Sequence, residues 1–435
     1  MSTAAVRETP RPRGLVLAML LLVYIFNFLD RQILAILAPP IQADLGLSDG
    51  QMGLLGGFAF ALLYSTLAVP LASVADRTSR SWVITVSLVI WSGFTALCGL
   101  AQGFWHIFLA RLGVGVGEAG GVAPSYAIIG DYFPSNKRAF ALAIYSMGIP
   151  LGSAAGVLVG GYIAATVDWR LAFFVVGMAG VVLAPLFKYV VKDFPRANPV
   201  DAAARQAASD NASIGHVARI LAKKPSFWFL AFGAASGSML GYGVLFWKPS
   251  LLQRSFGLSL LETSYFLGAL MLIGGISGVL AGGFFADRLG QANKAWYARL
   301  PALAYIVAVP LFSAAVLTDN VTLAFFLFLI PQALAYIWLG PVLTAVQHLV
   351  IPAQRSTASA LFLLINNLLG LGGGIYALGA VSDLLTPHFG TEALRWSMLG
   401  SQLLYVIAAI LMVLAARRLP GDWVAEVEPE MEKTA

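Results

Sequence analysis

Four ionisable residues lie well inside long apolar runs of this chain: Asp30 and Arg31 in the first run, Arg111 and Glu118 in the fourth. An ionised side chain at the centre of a bilayer costs at least about 2.5–3.5 kcal/mol, so each needs a partner or a task. A carboxylate paired with a guanidinium meets that cost, and one that loses its partner is the natural acceptor of a proton. The planar fork of arginine adds a bidentate grip on phosphate or carboxylate. Residues of these types in these places point to proton exchange coupled to anion binding, or to a static staple between two helices.

Spacing sets their heights. Asp30 stands eight residues before the end of its run at Ala38, and Arg111 seven residues after Phe104. With a rise of about 1.5 Å per residue, they lie about 12 Å and about 10 Å below one membrane face. Glu118 falls on nearly the same side of its helix as Arg111, about 10 Å deeper. The expected arrangement is a vertical ladder of Asp30, Arg111 and Glu118. In it Arg111 is shared between a carboxylate and an anionic substrate head, and protonation of Asp30 or Glu118 releases it. Arg31 is about 100° around the helix from Asp30, so it cannot share that partner. It either lines the outer part of the cavity or snorkels.

Tyr24, Asn27, Tyr242, Tyr336, Trp338, Asn366 and Asn367 are further cavity candidates. Their plainer alternatives are a hydrogen bond to a neighbouring helix for the amides and a lipid contact for the rings. With no charge expected near mid-membrane in the C-terminal half, the cavity has one charged wall and one apolar wall, which suits an amphiphile with an anionic head. No catalytic or metal-binding constellation is expected, and no cofactor. His106, His216, His348 and His388 are scattered and Cys98 is the single cysteine. Gly115-x-Gly117-x-x-Gly120 has the letters of a dinucleotide fingerprint but lies in a membrane run with no strand before it.

The elements that must hold these groups are membrane helices. Residues are 59% hydrophobic and 11% charged, too few charges to cover a soluble fold, where about 25% is usual. A span needs about 20 mostly apolar residues. Twelve stretches qualify: Leu15–Ala38, Gln51–Val74, Trp82–Ala101, Phe104–Gly130, Ala139–Ala164, Leu171–Val191, Phe227–Trp247, Thr263–Ala286, Trp296–Leu317, Val321–Val350, Thr357–Val381 and Trp396–Ala416. The predicted class is an all-α integral membrane protein with two six-helix bundles, residues 14–191 and 225–416. Residues 1–13 form a short N-terminal segment, 192–224 a charged linker with an interfacial helix near its end, and 417–435 an acidic tail. The first run is too long for a signal peptide and is read as a retained helix.

The net charge of +6 is spread over short gaps between spans, so no nucleic-acid partner is expected. Of the 27 Lys and Arg, 21 fall on one side if the N-terminus is cytoplasmic, against four (Arg170, Lys248, Arg254, Arg395) on the other. By the positive-inside rule both termini face the cytoplasm, in the cell (inner or plasma) membrane.

The two halves repeat. Ala72-x-x-x-Asp76-Arg77-x-Ser79-Arg80 follows the second span and Gly283-x-x-x-Asp287-Arg288-x-Gly290 the eighth. Arg138 corresponds to Arg355, and Arg170 to Arg395, in the same order. Parallel repeats create a cleft between halves at mid-membrane. The two Asp-Arg loops, with Arg111-x-x-x-Gly115-x-Gly117 and Gly148-x-Pro150-x-Gly152-x-x-x-Gly156, resemble the major facilitator superfamily along nearly the whole chain. Ala72 and Ser79 stand where glycines are usual. Asn27-Phe28-Leu29-Asp30-Arg31 and Arg111-Leu112-Gly113-Val114-Gly115-Val116-Gly117-Glu118-Ala119, followed by Ala123-Pro124, resemble the Spinster family more closely. That resemblance implies a monomeric carrier of sphingolipids or lysophospholipids, in some members linked to protons. Asp76, Arg77, Arg80, Asp287 and Arg288 are then gating residues that tie helix ends together.

The expected function is secondary active transport by alternating access. The partners are membrane lipids, protons and a small amphipathic or anionic substrate. Carriage of a small organic acid or drug is the nearest rival; a channel and a membrane-embedded lipid enzyme are others, and the enzyme lacks the residues it would need.

Overall fold

The computed structural model describes residues 11–193, 213–351 and 354–424, and all regular structure among them is helical. A backbone surrounded by lipid must satisfy its own hydrogen bonds, so apolar runs of this length become helices. The spans are α1 (Arg13–Ile36), α2 (Asp49–Arg77), α3 (Arg80–Cys98), α4 (Phe104–Tyr132), α5 (Phe140–Thr166), α6 (Trp169–Val190), α7 (Pro225–Ser255), α8 (Leu260–Gly282), α9 (Trp296–Leu317) and α10 (Val321–Gln347). The last continuous stretch, Arg355–Asp422, reverses at Gly390, whose φ is +54°. It therefore supplies two spans, α11 (355–389) and α12 (393–422), completing the twelve. Residues 1–10, 194–212 and 425–435, which include most of the expected linker and acidic tail, lie outside the described residues. The end of the linker carries a helix, Ile214–Ala222, capped by the Ser213 hydroxyl.

Three C-terminal helix ends are corrected: α11 runs on from Val381 to Phe389, α12 from Ala416 to Asp422 and so into the expected tail, and α7 likewise extends. The run expected to stop at Trp247 continues to Ser255, so Lys248 is not a loop residue but a buried member of α7. Pro249 and the lysine look like a helix end in sequence. Within a bundle, neighbouring helices offset the bond that the proline removes.

Small residues set the close crossings. A Cβ on Gly152 would meet the Ile25 carbonyl oxygen at 2.4 Å, and one on Gly156 the Leu29 oxygen at 2.6 Å, so α5 lies directly on α1. The glycines of the false fingerprint act likewise: Gly115 faces the Phe60 carbonyl and Gly117 the Trp91 amide. The halves meet where α2 crosses α11 and α5 crosses α8. Gly57 approaches the Gly372 oxygen, and Gly268 approaches Leu158. Both α2 and α8 contain a π-helical turn at the corresponding point, Leu54–Phe58 and Met271–Gly275.

The halves are joined unequally. Residues 49–61 of α2 are mostly buried, whereas 62–77 are mostly exposed or half-buried. The bundle is shut at the face opposite the linker and splayed toward the linker face.

Candidate functional site

The charged residues of α1 and α4 meet inside the N-terminal half, in an arrangement different from the expected ladder. Glu118 is fully buried and accepts from Arg31 Nε at 2.7 Å. Asp30 turns away toward α3, where Thr95 donates to it at 3.2 Å. Arg111, 2% exposed, has no carboxylate oxygen within 4.0 Å among the described residues. The reason is helical phase: Asp30 and Arg31 point to different neighbours, and it is Arg31 that faces α4. Arg31 therefore does not snorkel: its side chain, 12% exposed, pairs with Glu118 and lines a cavity.

Aromatic faces complete the cluster. The Arg31 guanidinium lies 4.9 Å from the Phe28 ring centroid, 4.8 Å from Phe60 and 4.7 Å from Tyr64. Arg111 lies 5.1 Å from the same Phe60 ring, so two cations share one aromatic partner. Several polar atoms here have no hydrogen bond: both amide atoms of Asn27, one oxygen each of Asp30 and Glu118, and Arg111 Nε. Arg31, Gln32, Arg111 and Tyr242 border a cavity of about 30 Å³ between the halves, room for a water molecule or so.

A larger cavity, about 130 Å³, lies on the C-terminal side. Tyr242, Tyr336 and Trp338 line it. Four other expected lining residues are placed elsewhere. Tyr24 stacks on Tyr145 with centroids 4.2 Å apart, and Asn27 sits beside Glu118. Asn366 accepts from Ser238 at 2.8 Å and so joins α11 to α7, while Asn367 accepts from its neighbour Asn366 within α11. The expectation of an uncharged cavity wall in the C-terminal half is also corrected. Lys248, 3% exposed, lines this cavity and donates to Gln332 of α10 at 2.8 Å.

The family model for the Major Facilitator Superfamily matches residues 20–374. The chain belongs to that superfamily. A protein named an MFS-type efflux pump in Mycolicibacterium smegmatis is 34% identical over 429 residues, covering 97% of this chain and 96% of the relative. Protein spinster homolog 1 of Xenopus tropicalis is 28% identical, covering 85% of this chain and 72% of the relative. A crystal structure of a bacterial homologue of the human lysosomal transporter Spinster, inward-facing and unoccupied, matches with a TM-score of 0.83 at 30% identity. That match covers 96% of this chain and 100% of the other. The chain is thus a Spinster-like, multi-pass membrane transporter of the superfamily.

The superfamily's loop motif acts within the N-terminal half of this Spinster-like chain. Arg80 pairs with Asp76 at 2.9 Å and with Asp131 at the end of α4 at 2.5 Å, tying three helix ends together. Ser79, in place of the usual glycine, caps α3 and bonds Asp193 beyond α6. Arg77 and Arg288 are exposed, and the Asp287 side chain lies outside what is described.

Sequence reasoning missed the polar clamp that shuts the far face. Arg254 of α7 grips Asp49 of α2 with both arms, each at 2.8 Å, and Ser382 of α11 adds a bond to Asp49 at 2.7 Å. In return Asp383 of α11 accepts from Ser48 Oγ at 2.8 Å and from the backbone amides of Asp49 and Gly50 at 3.0 and 2.7 Å. The sequence did hold one signal, Ser48-x-x-Gln51, a capping box that starts α2.

Proposed function

We propose that this chain is a proton-linked carrier of a lipid-like amphipathic anion, working by alternating access with both termini in the cytoplasm. The observation that carries the reading is the Arg31–Glu118 pair, set against a cavity between the halves, with Asp30 and Arg111 beside it and without an ion pair among the described residues. When Glu118 takes a proton, its hold on Arg31 is lost and the guanidinium is left to find another anion. Leaving one member of a buried pair alone costs about 3–5 kcal/mol, enough to move a two-state equilibrium. Asp30, bonded by Thr95, is the second site for the proton. The resemblance of the first- and fourth-helix signatures to the Spinster family supports the lipid-like substrate class.

With the linker face in the cytoplasm, the splayed end opens inward and the clamp faces outward. The Asp76–Arg80–Asp131 ties hold the N-terminal half rigid as the halves rock, which is the gating role. The carrier acts as a monomer, each chain holding its own cleft. A second reading, export of small organic anions or drugs, is favoured by the 34% identity to an efflux pump.

Flux into proteoliposomes, with and without a pH gradient, decides between them. Lysolipids and alkyl phosphates should compete for transport, and sugar acids should not. Glu118→Gln and Asp30→Asn should each lower gradient-driven flux at least tenfold while substrate exchange without a gradient persists. Unchanged proton dependence in both variants would defeat the coupling scheme.

A further inference from the structure

Lys248 places an amine inside the membrane span of α7, lining the larger cavity, and among the described residues no carboxylate oxygen lies within 4.0 Å of it. Its ammonium has three donors. One is taken by Gln332, and the Phe328 ring lies 5.4 Å from the nitrogen. A neutral amide and an aromatic face orient the amine without neutralising it. A buried amine that is held in position, faces a cavity and has no carboxylate beside it carries its charge most favourably when an anion from outside sits next to it.

The remaining wall fixes the rest of the ligand. Toward the linker face, Tyr242 lies six residues before Lys248 on α7, about 9 Å away by helical rise. Val244 and Leu245 lie between them, and Phe28 and Ile149 face them from the N-terminal half. An acid head at Lys248 thus lies at the closed end, and an alkyl chain leads toward the open one. Phe28 and Tyr242 border both this cavity and the one beside Arg31. A ligand seated here therefore presses on the partition that separates it from the Arg31–Glu118 pair.

We propose that Lys248, positioned by Gln332, is the headgroup site of the C-terminal half and takes the acid group of a single-chain amphiphile, while Glu118 and Asp30 of the N-terminal half handle the proton. This rests on the carrier reading above and places the substrate's anion on α7 rather than on the arginines of the N-terminal half.

The test uses the full chain in zwitterionic-lipid nanodiscs. It follows the rise in unfolding temperature with dodecyl phosphate, inorganic phosphate or dodecyltrimethylammonium, against empty discs. Dodecyl phosphate should stabilise the protein, and the other two should not. Lys248→Gln should weaken dodecyl phosphate at least tenfold, and Lys248→Arg should restore it to within about threefold, a charge effect worth about 1.4 kcal/mol or more. Gln332→Glu, which keeps the shape and supplies a counter-ion, should weaken it by a similar factor even if Lys248→Gln does not fold. Full affinity in both Lys248→Gln and Gln332→Glu would overturn the site while leaving the substrate class standing. Equal affinity for inorganic phosphate would overturn the amphiphile, and no binding of any probe by the native chain would overturn the substrate class itself.

Discussion

Arg31 and Asp30 are adjacent in sequence and serve different neighbours, which is what a turn of about 100° per residue requires. That much was legible, as was the need for buried charges in α1 and α4 to find partners. Which charge faces which helix was not, because the rotation of α1 about its own axis is set by packing on α5 through Gly152 and Gly156. The lysine of α7 was hidden for another reason: a charge followed by proline ends a hydropathy run whether or not it ends a helix. At this scale the Arg31–Glu118 pair makes a stability prediction. Glu118→Ala leaves the guanidinium buried alone and should destabilise the protein by about 3–5 kcal/mol. The double variant Arg31→Met with Glu118→Leu should recover most of that, since an apolar pair of similar volume needs no counter-ion. Thermal unfolding of the three proteins in one detergent measures both effects.

The helices themselves were read closely from the sequence, since lipid leaves the backbone no other solution. Their crossings were foreshadowed by glycine spacing, although Gly115-x-Gly117-x-x-Gly120 shows that the letters alone do not say what a glycine accommodates. At Gly152 the neighbour is a backbone oxygen, which cannot swing aside as a side chain would. Gly152→Val should therefore cost well over the usual 1–3 kcal/mol of overpacking and reduce the yield of folded protein. Gly93 of α3, with nothing within 4 Å of an added Cβ, is the matched control, and Gly93→Val should behave almost as the native chain. Size-exclusion profiles and unfolding temperatures of the two variants compare them directly.

For the molecule as a whole, twelve spans in two halves could be counted from hydropathy and repeated motifs. What joins the halves could not, because Gly50 and Asp383 stand 333 positions apart and the capping box around Gly50 does not point to Asp383. The clamp is made of reciprocal contacts, each half giving a carboxylate to the other, so it exists in only one arrangement of the halves. Asp383→Asn removes the charge that three donors converge on. With charge-assisted bonds worth about 1.5–3 kcal/mol each, it should shift the population at least tenfold toward a conformer open at the far face. Spin labels at Ala43→Cys and His388→Cys should report a longer distance in that variant, with Cys98 buried and out of reach of the label.

The first amides of a helix have no acceptor within it. In α2, Ser48 serves the amide of Gln51, while those of Asp49 and Gly50 are served only by a residue from the other end of the chain. Whenever the clamp opens, these two protons are handed to water. Their rate of replacement by deuterium is a turnstile count of door openings, written by the protein itself and readable without substrate, label or mutation.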